Sequence, residues 1–360
     1  MDGRAWCWGT EGTAPLGTGG ATDVCWATAC APTPALVRTS LRFQALSVGA
    51  LHACAIDLAG RIWCWGTNAS GQLGVASPLL AGEPVAVATP GRFTAVAAGV
   101  DHSCAIRDDA VVLCWGGNGM GQLGRGSGRD DEVPAPTFGT LRAAQVFAGD
   151  ERSCAIAVSG EASCWGAIWQ YSQDGIEYSR RQFLPDKVPQ APRFAQLAIG
   201  TLTTCGLDLD GAAWCWEANG YGQMGTASLA GSRVPLQVAT TARFRSITTG
   251  LLQSCAMDAG YHAWCWGNNT FGQLGTPAVT APCAAADLAC SRVPVQLPGT
   301  LRFTQLSTGP GSHVCGITTL TNLYCWGLGN GGQLGLGDPA VQLRRVPTLV
   351  PGPHSTRAPD

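Results

Sequence analysis

The dipeptide Cys-Trp recurs in one context at Cys7, Cys64, Cys114, Cys164, Cys215, Cys265 and Cys325, at steps of 57, 50, 50, 51, 50 and 60 residues. A period near fifty implies one supersecondary unit used repeatedly, each copy burying its apolar face against the next. Around the dipeptide the same phrase returns. Arg92 to Gly124 reads RFTAVAAGVDHSCAIRDDAVVLCWGGNGMGQLG, Arg42 to Gly74 reads RFQALSVGALHACAIDLAGRIWCWGTNASGQLG, and a variable stretch then leads to a Val-Pro segment.

Within a unit, RFTAVAAG, HSCAI, VVLCWG and the Val-Pro segment are short, rich in β-branched or aromatic residues, and bounded by Gly, Asp or Pro. Each reads as a strand, four to a unit. A stack of helical repeats would need apolar residues at helical spacing over roughly ten positions or more, and the Gly-Gln-Leu-Gly and Asp-Gly interruptions oppose it. Four-stranded units repeated radially make a β-propeller, which leaves only short, protected edges. The expected fold is therefore all-β: a seven-bladed propeller of about 50-residue repeats, a single domain over 1–350 with a tail at 351–360.

The combination G-x-x-H-x-C-A-I, then W-C-W-G-x-N-x-x-G-Q-L-G, resembles the repeat of the regulator of chromosome condensation family. The resemblance covers nearly the whole chain and implies seven blades. It implies function only as a choice, since the family includes a nuclear guanine-nucleotide exchange factor, ubiquitin-ligase modules and secreted bacterial proteins, one of which inhibits β-lactamases by binding them.

Composition narrows that choice. With 46% hydrophobic and 13% charged residues the chain is ordered rather than disordered. Lys+Arg 22 against Asp+Glu 24, with Lys187 the only lysine, gives no polybasic surface for nucleic acid. No apolar run approaches the ~20 residues of a membrane-spanning helix.

Six of the Cys-Trp cysteines have a partner ten positions earlier: Cys54 and Cys64, Cys104 and Cys114, Cys154 and Cys164, Cys205 and Cys215, Cys255 and Cys265, Cys315 and Cys325. If Leu58, Ala59 and Gly60 form a three-residue hairpin loop, Asp57 faces Arg61 and Cys54 faces Cys64. The alternation of pairs then puts the cysteines at an open pair, with Cα atoms roughly 4.5 Å apart and within disulfide range. A layer of reduced cysteines packed as small apolar residues is the alternative. Zinc is disfavoured because a ten-residue separation without C-x-x-C knuckles is not a usual ligand spacing. Cys25 with Cys30, and Cys283 with Cys290, could staple variable loops. Disulfides point to an oxidising compartment, extracellular or periplasmic.

Cys7 has no partner, because its expected position falls ahead of Met1. MDGRAWCWG aligns on LAGRIWCWG, so the sequence reads as starting in mid-repeat. The first blade is expected to be incomplete at its N-terminus, lacking two strands.

Catalytic signatures are missing from the sequence: there is no phosphate loop, no G-x-S-x-G and no H-E-x-x-H. His52, His102 and His313 fall at one repeat position, where a histidine bonding loop backbone is the plain reading. No catalytic residue, cofactor or metal is expected. Binding has better support. In a four-stranded meander the loop joining strands one and two and the loop joining strands three and four emerge on one face. That face gathers the Gly-x-x-His loops, with Asp101, Asp150 and Glu151, and the insertions Glu11 to Ala35, Ala167 to Lys187 and Thr276 to Arg292. Of 13 tryptophans, seven follow the repeat cysteine and four precede it, leaving Trp26 and Trp169, both in insertions. Trp169, Tyr171, Tyr178, Arg180, Arg181 and Phe183 share one loop with the residue mix of binding hot spots. Trp26, Asp101 and Glu151 join them as candidates. The expectation is a non-enzymatic, monomeric interaction scaffold binding a protein or glycan, with exchange-factor activity, or an enzyme using the rim carboxylates, as the alternatives.

Overall fold

The structure is a computed structural model. It describes residues 2–10, 16–20, 23–25, 28–171, 177–277, 281–283, 289–309, 311–338 and 340–352, with backbone alone at 169–171, 177–179 and 281–282. Among these residues there are 28 strands and no helix. The strands form seven antiparallel sheets in chain order, here blades 1 to 7. Two compact units divide the chain: Met1–Val24, Thr28–Ile168 and Ser179–Val188 make the first, and Cys25–Ala27, Trp169–Tyr178 and Pro189–Asp360 the second.

Blade 2 illustrates how the phrase folds. Its strands, Phe43–Val48, His52–Asp57, Ile62–Thr67 and Leu80–Ala86, pair in chain order. Asp57 N–H donates to the Arg61 carbonyl at 2.9 Å across the turn, whose Gly60 sits at φ 82°. The buried Asp57 carboxylate accepts from the Ala59 and Arg61 amides and the Trp63 indole, each at 2.9 Å. Burial works to raise this carboxyl, but the donors outweigh it and its pKa lies below the ordinary value. The turn sets the register. Cys54 lies opposite Cys64 with Cα atoms 4.1 Å apart, and the two are disulfide-bonded. The same bridge joins Cys104–Cys114, Cys154–Cys164, Cys205–Cys215, Cys255–Cys265 and Cys315–Cys325.

Blade 1 differs. Trp6–Thr10 and Thr28–Leu36 match the third and fourth strands of the repeat, and the short strand Asp23–Cys25 pairs beyond them. Cys7, opposite Ala35, is a free and only partly exposed thiol, pushed up to about 12 by burial.

Blades 2 to 4, and blades 5 to 7, are joined in series through the Gly-Gln-Leu-Gly loop, which reads Gly-Gln-Met-Gly in blade 5. The Gln72 carbonyl of blade 2 accepts from the Trp115 indole at 2.9 Å and the Ser103 hydroxyl at 3.0 Å, both in blade 3. Gln122 accepts likewise from Trp165 and Ser153, Gln223 from Trp266 and Ser254, and Gln273 from Trp326. These four tryptophans are fully buried. The two glycines permit the approach. A Cβ on Gly71 would stand 2.5 Å from Glu132 Cβ on the next blade's outer strand, and one on Gly74 would stand 3.0 Å from Trp115 Nε1. Both have positive φ. Asn68 holds the loop from inside, its Oδ1 accepting from Leu73 N–H at 2.9 Å and its Nδ2 donating to the Val75 and Pro78 carbonyls.

The Val-Pro segments form outer strands with a bulge. In blade 3, Cys114 pairs Ala135 and Gly116 pairs Asp131, so Glu132, Val133 and Pro134 bulge opposite Trp115. Pro84, Pro235, Pro294 and Pro347 take the same place in blades 2, 5, 6 and 7. Proline fits because the bulged residue gives no amide to the ladder.

Trp115→Ala removes a fully buried indole and an inter-blade bond, so it is expected to cost about 3–5 kcal/mol, measured by urea unfolding. Peptide mapping without reductant is expected to recover the six ten-residue bridges, with Cys7 alone open to alkylation.

Candidate functional site

In blades 2, 3, 4, 5 and 7 the strands run antiparallel in chain order, so the first–second and third–fourth connections of each share a face. In the first unit this face carries the turns around Asp101 and around Asp150 and Glu151. It also carries the first-unit part, 162–168 and 179–187, of an arm whose strands are Ala162–Tyr171 and Glu177–Lys187.

Glycine begins each of these turns because the blades crowd there. A Cβ on Gly99 would lie 2.5 Å from the Gly149 carbonyl and 2.4 Å from His102 Cε1. The histidine that follows reaches the next blade: His52 Nε2 is 2.7 Å from Ser103 Oγ, and His102 Nε2 is 2.9 Å from Ser153 Oγ. This corrects the expectation of a bond to loop backbone. Each serine spends its one proton on the Gln72 or Gln122 carbonyl, so the imidazole must donate and the serine accept. A serine placed this way is not activated as a nucleophile. Burial, and then the charge of His102, hold His52 down to about 3, and burial holds His313 to about 4, so both imidazoles are neutral at ordinary pH.

The carboxylates are the reactive part of the face. Burial works to raise Asp101, but the adjacent His102 and the Gln122 amide, 3.2 Å away, outweigh it and its pKa is lowered. Asp150 and Glu151 behave oppositely. Burial raises both, the charge of Asp101 raises both further, and Asp150 adds to the effect on Glu151; Arg152 opposes it at Asp150 and Arg181 at Glu151. The equivalent turns elsewhere carry Ala50 and Leu51, Thr201 and Leu202, or Leu251 and Leu252. The acidic cluster thus belongs to blades 3 and 4 and is not a property of the repeat.

On the arm, Arg180 and Arg181 are exposed. Phe183 is half-buried, with its ring beside Gly121 and Gly128 of blade 3, where a Cβ would come within 2.8 and 3.2 Å of it. Phe183 therefore packs within the protein. The side chains of Trp169, Tyr171 and Tyr178, and all of Trp26, lie outside the described residues. Cys283 and Cys290 are bridged, and Cys25 and Cys30 are disulfide-bonded. Among the described residues no group of three or more His, Cys, Asp or Glu could hold a metal ion, and no helix is long and apolar enough to cross a membrane.

Two residues escaped the sequence reading. Gly17 takes the role of the last glycine of Gly-Gln-Leu-Gly, since a Cβ there would stand 2.8 Å from Trp65 Nε1; the preceding Pro-Leu was the available signal. Glu217 ends the third strand of blade 5, where every other unit has glycine, and the signal was WCWE in place of WCWG.

Antiparallel blades, six of them pinned by a disulfide and linked within each unit through a buried tryptophan, define a β-propeller. Its closest definition comes from the repeat itself. Models of the regulator of chromosome condensation repeat match residues 59–106, 109–156, 262–316 and 322–358, and a second form of the repeat matches 43–72 and 93–122. The chain belongs to that family. No curated protein sequence matches it. Among solved structures it is similar to yeast Prp20 bound to Kap60, at 22% identity and TM-score 0.85 over 99% of this chain and 85% of that one. Prp20p from Saccharomyces cerevisiae, described with its binding to Gsp1p and histones, matches at 21% identity and TM-score 0.84 over 99% and 87%. Human WBSCR16 matches at 20% identity and TM-score 0.80 over 97% and 95%. Identities this low establish the fold alone.

The raised carboxyls give a pH signature. Their folded-state pKa values exceed the ordinary 3.8 and 4.5, so their favourable contribution is present when protonated and lost as pH rises. Asp150→Asn and Glu151→Gln are expected to raise Tm by about 1–2 °C at pH 7, with the gain vanishing below about pH 4, read by calorimetry.

Proposed function

We propose that the protein is a non-enzymatic interaction scaffold, extracellular or periplasmic, that binds a protein partner through the loop face of blades 3 and 4. The observation that carries this reading is the acidic cluster Asp101, Asp150 and Glu151. Two of its members, Asp150 and Glu151, are held at a cost in ionisation, and all three stand at positions the repeat leaves neutral. Strain of this kind concentrates at functional sites. Partly buried carboxylates within reach of the exposed Arg181 suit a partner segment bearing positive charge with an acidic residue nearby. A glycan with amino groups would use the same carboxylates. The disulfides support an oxidising compartment. The buried His-Ser pairs, each serine bonded to a backbone carbonyl, offer no nucleophile and support a binding role. The chain acts here as one monomeric domain over 1–350, without nucleic acid.

An exchange-factor role has only the fold in its favour, since Prp20 is about one-fifth identical to this chain. The test is a partner captured by the wild-type chain and measured by surface plasmon resonance. Glu151→Lys and Trp169→Ala are each expected to weaken binding about thirtyfold, equivalent to about 2 kcal/mol, with stability nearly unchanged. Asp210→Ala, on the opposite face, is expected to be silent. Loss of binding in Asp210→Ala with full binding in Glu151→Lys would place recognition on the wrong face.

A further inference from the structure

Blade 5 departs from the repeat at a buried position. Two residues after its repeat cysteine the third strand elsewhere carries Gly9, Gly66, Gly116, Gly166, Gly267 or Gly327, with φ between 99° and 110°. Crowding explains the glycine. A Cβ on Gly116 would stand 2.6 Å from the Asp101 carbonyl and 3.1 Å from Cα of Gln72, in the preceding blade's loop; one on Gly267 would stand 2.4 Å from the Leu252 carbonyl and 3.2 Å from Cα of Gln223. Blade 5 instead has Glu217, 3% exposed and at φ 84°, a left-handed conformation that a residue with a Cβ adopts only under constraint.

A second departure lies one blade earlier. Blade 4 has no Gly-Gln-Leu-Gly, because AIWQYSQDGIEYSRRQFLPDK stands in its place. The missing glutamine carbonyl is the acceptor that Ser103, Ser153 and Ser254 use in blades 3, 4 and 6. The matching residue of blade 5 is Thr204, 1% exposed, and its hydroxyl donates to Glu217 Oε2 at 3.0 Å. A buried hydroxyl left without an acceptor would destabilise the blade.

We infer that Glu217 is a built-in substitute for the absent loop. Its carboxylate supplies, from within blade 5, the acceptor that a neighbouring backbone carbonyl supplies elsewhere. The insertion at 167–187 is thereby relieved of that bonding duty and left for recognition, a consequence that rests on the binding role proposed above.

Thermal unfolding of the full chain with disulfides intact tests the substitution. Glu217→Gln retains an acceptor oxygen and is expected to keep the wild-type Tm. Glu217→Ala keeps the strained backbone, loses the acceptor, and is expected to lower Tm by about 2–4 °C. Adding Thr204→Val removes the stranded hydroxyl and is expected to recover most of that loss. Replacing Trp169–Tyr178 by a two-residue Asn-Gly turn is expected to leave Tm within about 1 °C while weakening the captured partner. Wild-type stability in Glu217→Ala, or no rescue by Thr204→Val, overturns the inference. A shortened arm that loses as much stability as Trp115→Ala overturns it as well, by making the arm a strut. A shortened arm with full stability and full affinity leaves the role of Glu217 standing and refutes the proposed binding function instead.

Discussion

One backbone carbonyl in each Gly-Gln-Leu-Gly loop carries the registration between neighbouring blades. At Gln72, Gln122 and Gln223 it receives two side-chain donors, a tryptophan indole and a serine hydroxyl, and at Gln273 the indole alone, among buried residues. Apolar packing alone is tolerant of sliding, whereas two bonds converging on one oxygen admit a single placement. The demands of that oxygen propagate outward. Its loop must come within bonding distance of the next blade, so glycines flank it; the loop must keep its shape, so Asn68 and its counterparts tie it from inside. The disulfides act on a different level. Each fixes one hairpin locally and leaves the longer-range assembly to the tryptophan.

The repeat phrase made most of this architecture legible. Period, strand number, hairpin register and the cysteine pairs all follow from residues close together in sequence, where a three-residue turn dictates what stands opposite what. The tryptophan at Trp115 could be read as inter-blade packing because its register recurs. Its acceptor could not, since backbone carbonyls carry no sequence signature and Gln72 lies 43 residues away. The histidines failed for a related reason. His102 looked local, yet its partner Ser153 belongs to the next blade, and only the stacking of sheets brings them together. Of the candidate site, the face and the acidic residues were legible from loop parity. The packing of Phe183 against Gly121 was not, because it depends on how far the arm's fourth strand runs alongside blade 3.

What distinguishes this chain from its repeat is found where the phrase is broken. Asp101, Asp150 and Glu151 replace neutral residues at turns, an arm replaces a structural loop in blade 4, and Glu217 replaces glycine in blade 5. A repeated framework makes such departures informative, since the remaining copies state what each position needs for folding alone. These three fall on blades 3, 4 and 5, and two of them compensate each other chemically.

The proline-bearing bulges of the outer strands have a consequence for behaviour in a crowded solution. An edge strand presents an unpaired row of amides and carbonyls that another chain can extend into a shared sheet. In this molecule that row is interrupted opposite the tryptophan in blades 2, 3, 5 and 7, with proline removing a donor at the same place on each of these edges. A foreign strand laid along any of these edges would lose its register within a few residues. The molecule thus carries many sheets while offering poor templates for fibril growth, and its surface loops can vary without raising that hazard.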